Sequence, residues 1–174
     1  MINHWPIKER TRSGVMNYYS RTDGYYPSER TIYADWMLKD CPNPCRKYHI
    51  SSATSCAHIV AEIALPILRE VEIFHKIVQN HRFLVDQTYG IHADQAGKFI
   101  TVYMNPGVEF RNALLQEINV ELQNAAQGVQ PSPKWPMLRL GRSGPEDKRI
   151  FETPVFSGPK GPFIFGGFEV NPLR

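Results

Sequence analysis

Two stretches of this chain carry apolar residues at helical spacing, and several shorter ones alternate or run apolar in the manner of strands. Ile59, Val60, Ile63, Ala64, Ile67 and Leu68 form one stripe and predict an amphipathic helix. Ser51, Ser52 and Thr54 stand before it as candidate N-caps, and Pro66 inside it implies a kink or an early stop. Phe110, Leu114, Leu115, Ile118 and Leu122 mark a second helix, and residues 82–87 read as a short one. Strand patterns cover residues 31–38, 47–50, 71–78, 98–104 and 163–170, with 98–104 the clearest. Asn105-Pro106-Gly107 turns the chain, and the prolines at 42 and 44 make residues 41–45 a turn or extended connection.

Strand 47–50, the first helix and strand 71–78 compose a right-handed βαβ unit with parallel strands. The predicted fold is therefore α+β: a single domain with a central mixed sheet containing a βαβ unit, two main helices and a polar N-terminal arm. Residues 1–30 are tyrosine-rich with poor periodicity and read as an arm or lid; residues 31–174 read as the domain proper. The arm's Arg10, Arg12, Arg21 and Arg30 read as solvated charge.

A length of 174 residues suits one domain with a real core. Lys+Arg number 20 against 17 Asp+Glu, a net +3 that is too mild for a general nucleic-acid binder. No apolar run approaches the roughly 18 residues needed to span a bilayer, and the first residues lack a signal-peptide core. Cys41, Cys45 and Cys56 make an odd count without a disulfide framework. Cys41, Cys45 and His49 lack the second ligand pair that a tetrahedral zinc site needs, so no metal is assigned. A reduced, cytoplasmic protein without nucleic-acid or membrane partners is the expectation.

Candidate chemistry begins at Lys47-Tyr48-His49. Two residues apart on a strand, Lys47 and His49 leave by the same face, and a cation beside an imidazole suits an anion. Taken alone, the residues have plainer readings: Lys76 as an edge lysine with a buried stem, His49 as a structural histidine, Tyr103 as a strand aromatic, Lys98 as a solvated lysine.

The order Lys47-Tyr48-His49-Ile50-Ser51-Ser52-Ala53-Thr54, helix, Phe74-His75-Lys76-Ile77-Val78, then Gly97-Lys98-Phe99-Ile100-Thr101-Val102-Tyr103 resembles the phospho-Ser/Thr lyase domain of class III and class IV lanthipeptide synthetases. The phosphothreonine lyases secreted as bacterial type III effectors share the Lys-x-His element more distantly. The resemblance covers roughly residues 31–170. It implies β-elimination of phosphate from a phosphorylated Ser or Thr in a peptide, leaving dehydroalanine or dehydrobutyrine, with no cofactor. It further implies His49 as general acid, Lys76 as general base, and Lys47 as a phosphate ligand, with Tyr103 near the site. The 27-residue separation of His49 and Lys76 suits a strand–helix–strand unit.

Arg139 and Arg142, flanked by glycines, are candidate phosphate ligands because a guanidinium fork fits phosphate. The family places an arginine before the Gly-Lys-Phe strand where this chain has Gly90-Ile91-His92-Ala93-Asp94-Gln95, so His92 is the candidate replacement. The family's terminal Arg-Tyr-Gly-Gly-Phe reads Ile164-Phe165-Gly166-Gly167-Phe168 here. The kinase and cyclase portions of the synthetases have no counterpart, so a separate Ser/Thr kinase, and a cyclase, would be partners of a stand-alone lyase. Three functional classes follow: a lyase in ribosomal peptide biosynthesis or of the effector type, a degenerate module that binds phosphorylated or leader peptide, and a structural protein sharing only the fold.

Overall fold

The computed structural model describes residues 15–38, 40–105, 109–139 and 146–170. In chain order its strands are β1 (Tyr25–Pro27), β2 (Tyr33–Trp36), β3 (Cys45–Ile50), β4 (His75–Val78), β5 (Ile100–Met104), β6 (Met137–Arg139), β7 (Glu146–Phe151) and β8 (Ile164–Val170). Helix α1 (Ala57–Glu70) lies between β3 and β4, α2 (His81–Tyr89) between β4 and β5, and α3 (Glu109–Gln123) after β5. Six strands form one sheet in the order β1-β2-β4-β5-β3-β8, and β6 pairs with β7 in a separate ribbon. The class is α+β, as the periodicities require.

The mixed sheet is corrected. Every neighbouring pair in the six-stranded sheet is antiparallel. Strands β3 and β4 do run parallel, because both lie antiparallel to β5, but β5 stands between them. The βαβ unit is therefore split. Sequence pattern sets the direction in which α1 returns the chain; it does not say that a later strand inserts into the gap.

One face of the sheet is apolar. Ile50, Ile100 and Ile77 face one another across β3, β5 and β4, and Tyr48, Val102 and His75 form the next row. They join Val60, Ala64, Leu65 and Leu68 of α1 and Leu115, Ile118 and Leu122 of α3 in one core. That burial explains why α1 runs through Pro66 instead of stopping there. The lost backbone bond costs about 3 kcal/mol, whereas each fully buried aliphatic side chain returns roughly 1.5–3 kcal/mol.

The caps differ from expectation too. Cys56 occupies the N-cap of α1 without a side-chain hydrogen bond to the helix's own N–H groups, its thiol bonding the Gln130 backbone instead. Ser51 Oγ instead accepts from the Ser132 backbone N–H at 3.2 Å, and the Ser51 N–H donates to the Phe163 carbonyl at 2.7 Å, so Ser51 is tied to distant loops rather than to the helix.

Within the described part of the N-terminal arm, Tyr18, Tyr19 and Tyr25 are core residues, and β1 is an edge strand paired with β2. Their irregular spacing concealed this, because each tyrosine is buried by a different neighbour. Tyr18 meets Phe99 edge-on at 5.2 Å, while the Tyr25 hydroxyl bonds His75 Nε2 at 2.6 Å. No helix among the described residues is long and apolar enough to cross a membrane.

His75 gives a prediction for stability. It is fully buried between Trp36, stacked at 5.3 Å, and the Tyr25 hydroxyl, and its Nδ1 donates to the Ile73 carbonyl at 2.6 Å. Burial lowers its pKa to about 4. The unfolded chain, with an ordinary imidazole near 6.5, then binds more protons than the native one between those values, so stability falls as pH drops through that window. The loss attributable to His75 is about 3 kcal/mol by pH 4. Urea unfolding from pH 7.5 to 4.5 should show this slope in the wild type and much less of it in His75→Gln. Equal slopes would refute it.

Candidate active site

The opposite face of the same strands is polar. In the pairing register His49 lies opposite Thr101, Thr101 opposite Lys76, and Lys76 opposite Asp35. Cross-strand partners share a face, so these four side chains form one row across β3, β5, β4 and β2. Lys47 lies opposite Tyr103 in the adjacent row. Two strand spacings separate the His49 and Lys76 backbones, about 10 Å, which leaves side chains of this length free to converge over Thr101.

Aromatic rings line the lysines. Lys76 Nζ lies 4.5 Å from the centre of the Tyr33 ring and 5.9 Å from that of Tyr103, and Lys47 Nζ lies 5.8 Å from Tyr103. Such contacts are worth roughly 0.5–1 kcal/mol each at exposed positions, enough to orient an ammonium without fixing it. Burial raises the Tyr103 hydroxyl's pKa, with Cys41, Tyr33, Asp35 and Cys45 adding to the rise, so Tyr103 is a neutral donor and acceptor here. Burial also raises Asp35, against the pull of Lys76.

His49 is almost wholly buried and joined through Nδ1 to Glu152 Oε1 at 2.7 Å. Burial first, then the charges of Lys47, Lys98 and Lys76, holds the imidazole well below its ordinary pKa. Glu152 is buried as well, and burial raises its carboxyl to about 7 despite Lys98 and Lys47. Its other oxygen, Oε2, is buried and has no hydrogen-bond partner among the described residues.

Lys98, read from sequence as solvated, is only 4% exposed and bears on both His49 and Glu152. Its position is set by its backbone. The Tyr33 hydroxyl and the Gln87 amide of α2 both donate to the Lys98 carbonyl, at 3.1 and 3.0 Å. Gly97 before it adopts φ +82, and a Cβ there would come 2.7 Å from the Pro136 nitrogen, so this turn requires glycine.

The structure thus brings together Lys47, His49, Lys76 and Tyr103 of the predicted set and adds Lys98, Glu152, Tyr33 and Asp35. His92 is placed elsewhere: it follows α2 and pairs with Asp86 at 3.6 Å, and it is not among the charges acting on His49 or Glu152. Of Arg139 only the backbone is described, in β6 opposite Glu146, and Arg142 lies outside the described residues. Among the described residues no group of three or more metal-ligating side chains is assembled.

Chemically, the row offers a primary amine and an imidazole facing one space, with two further ammonium groups to hold an anion beside them. Such a set can remove a proton at one end of a bound anionic molecule and deliver one at the other. No family model matches the chain, and no curated protein matches it.

Proposed function

We propose that the protein is a phospho-Ser/Thr lyase, acting on a phosphorylated peptide to release phosphate by β-elimination and leave dehydroalanine or dehydrobutyrine. The observation that carries this reading is the shared row: Lys76 and His49 stand on one face, one strand apart, with Lys47 and Lys98 beside them. In this reading the neutral amine of Lys76 takes the Cα proton. The Cα–H electron pair becomes the Cα–Cβ double bond as the Cβ–O bond breaks, and His49 protonates the departing bridging oxygen. Lys47 and Lys98 hold the phosphate, and Thr101 and Tyr103 face it from β5.

The chemistry suits these groups. A Cα–H is weakly acidic, so its base must be unprotonated, and an arginine could not serve. Asp35, the described carboxyl that feels Lys76, is itself raised by burial and is therefore a reduced counter-charge to the amine. Partners of a stand-alone lyase would be a Ser/Thr kinase that makes the phosphopeptide and, in ribosomal peptide biosynthesis, a cyclase that consumes the dehydro residue.

The described cations acting on His49 are all lysines, which favours a second reading: a module that binds phosphorylated or leader peptide without chemistry. Mass spectrometry of a phosphothreonine peptide incubated with the protein separates the two. Loss of the mass of phosphoric acid is the expected result. Loss of the mass of HPO₃ alone would mean a phosphatase, and tight binding with no mass change would mean the module.

A further inference from the structure

We propose that Glu152 is the positioning residue of the acid: it holds His49 by Nδ1 and stores the proton that replaces the one His49 gives up. The proposal deepens the lyase reading and rests on it for the identity of the leaving group.

Geometry carries the argument. The 2.7 Å bond engages Nδ1, so Nε2 is the nitrogen left for a substrate. Glu152 arrives from outside the sheet. Its backbone N–H donates to the Pro136 carbonyl at 2.9 Å, and the next residue, Thr153, accepts from the Gly166 N–H of β8 at 2.9 Å. Strand β8 lies between this segment and β3, and Gly166 is where the carboxylate crosses it. A Cβ at Gly166 would approach Glu152 Oε1 to 3.3 Å. The absence of a side chain there is the opening through which the carboxylate reaches His49.

The second observation is Oε2, buried without a partner among the described residues. A carboxylate with one oxygen unsolvated and unbonded is costly, and a neutral carboxyl much less so. The charged groups facing the pair are Lys47 on β3, Lys98 just before β5 and Lys76 on β4; Lys98 and Lys47 favour the Glu152 anion and all three disfavour a charged His49, while burial raises the carboxyl to about 7 in spite of them. The pair therefore holds one proton on the carboxyl, with Nδ1 accepting and Nε2 carrying its N–H.

Elimination then balances without an imidazolium ever forming. The Nε2–H bond breaks as the bridging oxygen gains that proton, and the carboxyl O–H breaks as Nδ1 gains its own. Lys76 takes the Cα proton. The products are hydrogenphosphate, the alkene, a protonated Lys76, an imidazole protonated on Nδ1 and a Glu152 carboxylate; solvent carries one proton from Lys76 to Nε2 as Nδ1 hands its own back to Glu152, which restores the starting state.

The test uses the full chain labelled with ¹⁵N-histidine, titrated by NMR with and without inorganic phosphate, beside elimination kinetics on a synthetic phosphothreonine peptide. His49 should report a titration near pH 7 in the wild type that Glu152→Gln removes. That variant should lose about 10²-fold in kcat at near-constant KM, and its alkaline limb should move well below neutrality. Glu152→Asp should recover part of the rate and keep the limb. An unchanged His49 titration in Glu152→Gln, or a wild-type pH profile, overturns the proposal. If Glu152→Gln fails to fold, the Glu152→Asp titration decides: absence of the shared transition overturns it. A wild type that shows the shared titration but releases no phosphate overturns the lyase reading and leaves the stored proton supported.

Discussion

Replacing Lys76 with alanine should lower the rate of phosphate elimination by roughly 10²–10⁴-fold while leaving phosphopeptide affinity within a few-fold of wild type. The two effects separate because Lys76 and the phosphate ligands are different groups. Under the proposed mechanism the Cα proton has no other described amine in the row that crosses β5, whereas Lys47 and Lys98 would continue to hold the anion. Structure should survive the change. Lys76 is half-buried, and its loss removes ring contacts to Tyr33 and Tyr103 rather than a packed core residue. Lys76→Arg is the sharper variant: it keeps the charge and the ring contacts but cannot be a base, so it should be equally slow. Single-turnover rates by mass spectrometry, with affinity from fluorescence anisotropy, check both. Elimination surviving in Lys76→Ala within ten-fold of wild type would remove Lys76 from the chemistry.

Gly166→Ala is the second large effect, and it acts on the fold and the site together. Gly166 has φ +111, where an L side chain is strained, and its Cβ would lie 2.6 Å from the Lys47 carbonyl. Neither neighbour can give way cheaply, since one is β3 backbone and the other is the Glu152 carboxylate. The cost should be about 2–4 kcal/mol, combining the left-handed penalty of roughly 1–2 kcal/mol with the clash. For a domain of this size that lowers Tm by about 5–15 °C. Gly167 is the control. Its φ is +94, but the three atoms nearest to a Cβ there all belong to the Tyr48 side chain, at 3.1 Å and beyond, so Gly167→Ala should be milder. Equal melting temperatures for the two variants would show that the approach to Lys47 is not what requires glycine.

The sequence made some of this visible and concealed the rest for physical reasons. Period two along a strand places Lys47 and His49 on one face without any tertiary information. The stripe of α1, the strand at 100–104 and the last strand likewise follow from periodicity. Which strands are neighbours does not follow, because pairing order depends on long-range packing; hence the mixed sheet was expected where an antiparallel one with a split crossover stands. Lys98 carries no local sign of burial: its backbone is fixed by a turn of Gly97 against residues 134–136 and by the α2 side chain of Gln87, contacts that are all distant in sequence or made through the main chain. Glu152 was unreadable, since it meets His49 from 103 residues away, in a segment with no motif. The Gly166-Gly167 pair was the available signal. Two glycines within an apolar strand mark a bulge or a close approach, and the register of β8 on β3 does shift there.

The placement of β8 also has a consequence for the order in which the site is completed during synthesis. By the end of β5 the nascent chain already holds Lys47, His49 and Lys76, on strands that with β5 are contiguous in the sheet, and Lys98 just before β5. Until residues 152–170 emerge, β3 is an open edge, and His49 has neither its carboxylate partner nor the strand over which that partner reaches. An exposed edge at the centre of the chemistry is the surface most prone to pairing with another chain. The final strand therefore serves as a closing step that caps this edge and brings the histidine its carboxylate in one event, so under the proposed lyase reading a ribosome-bound chain halted before it would hold the cations without a completed acid.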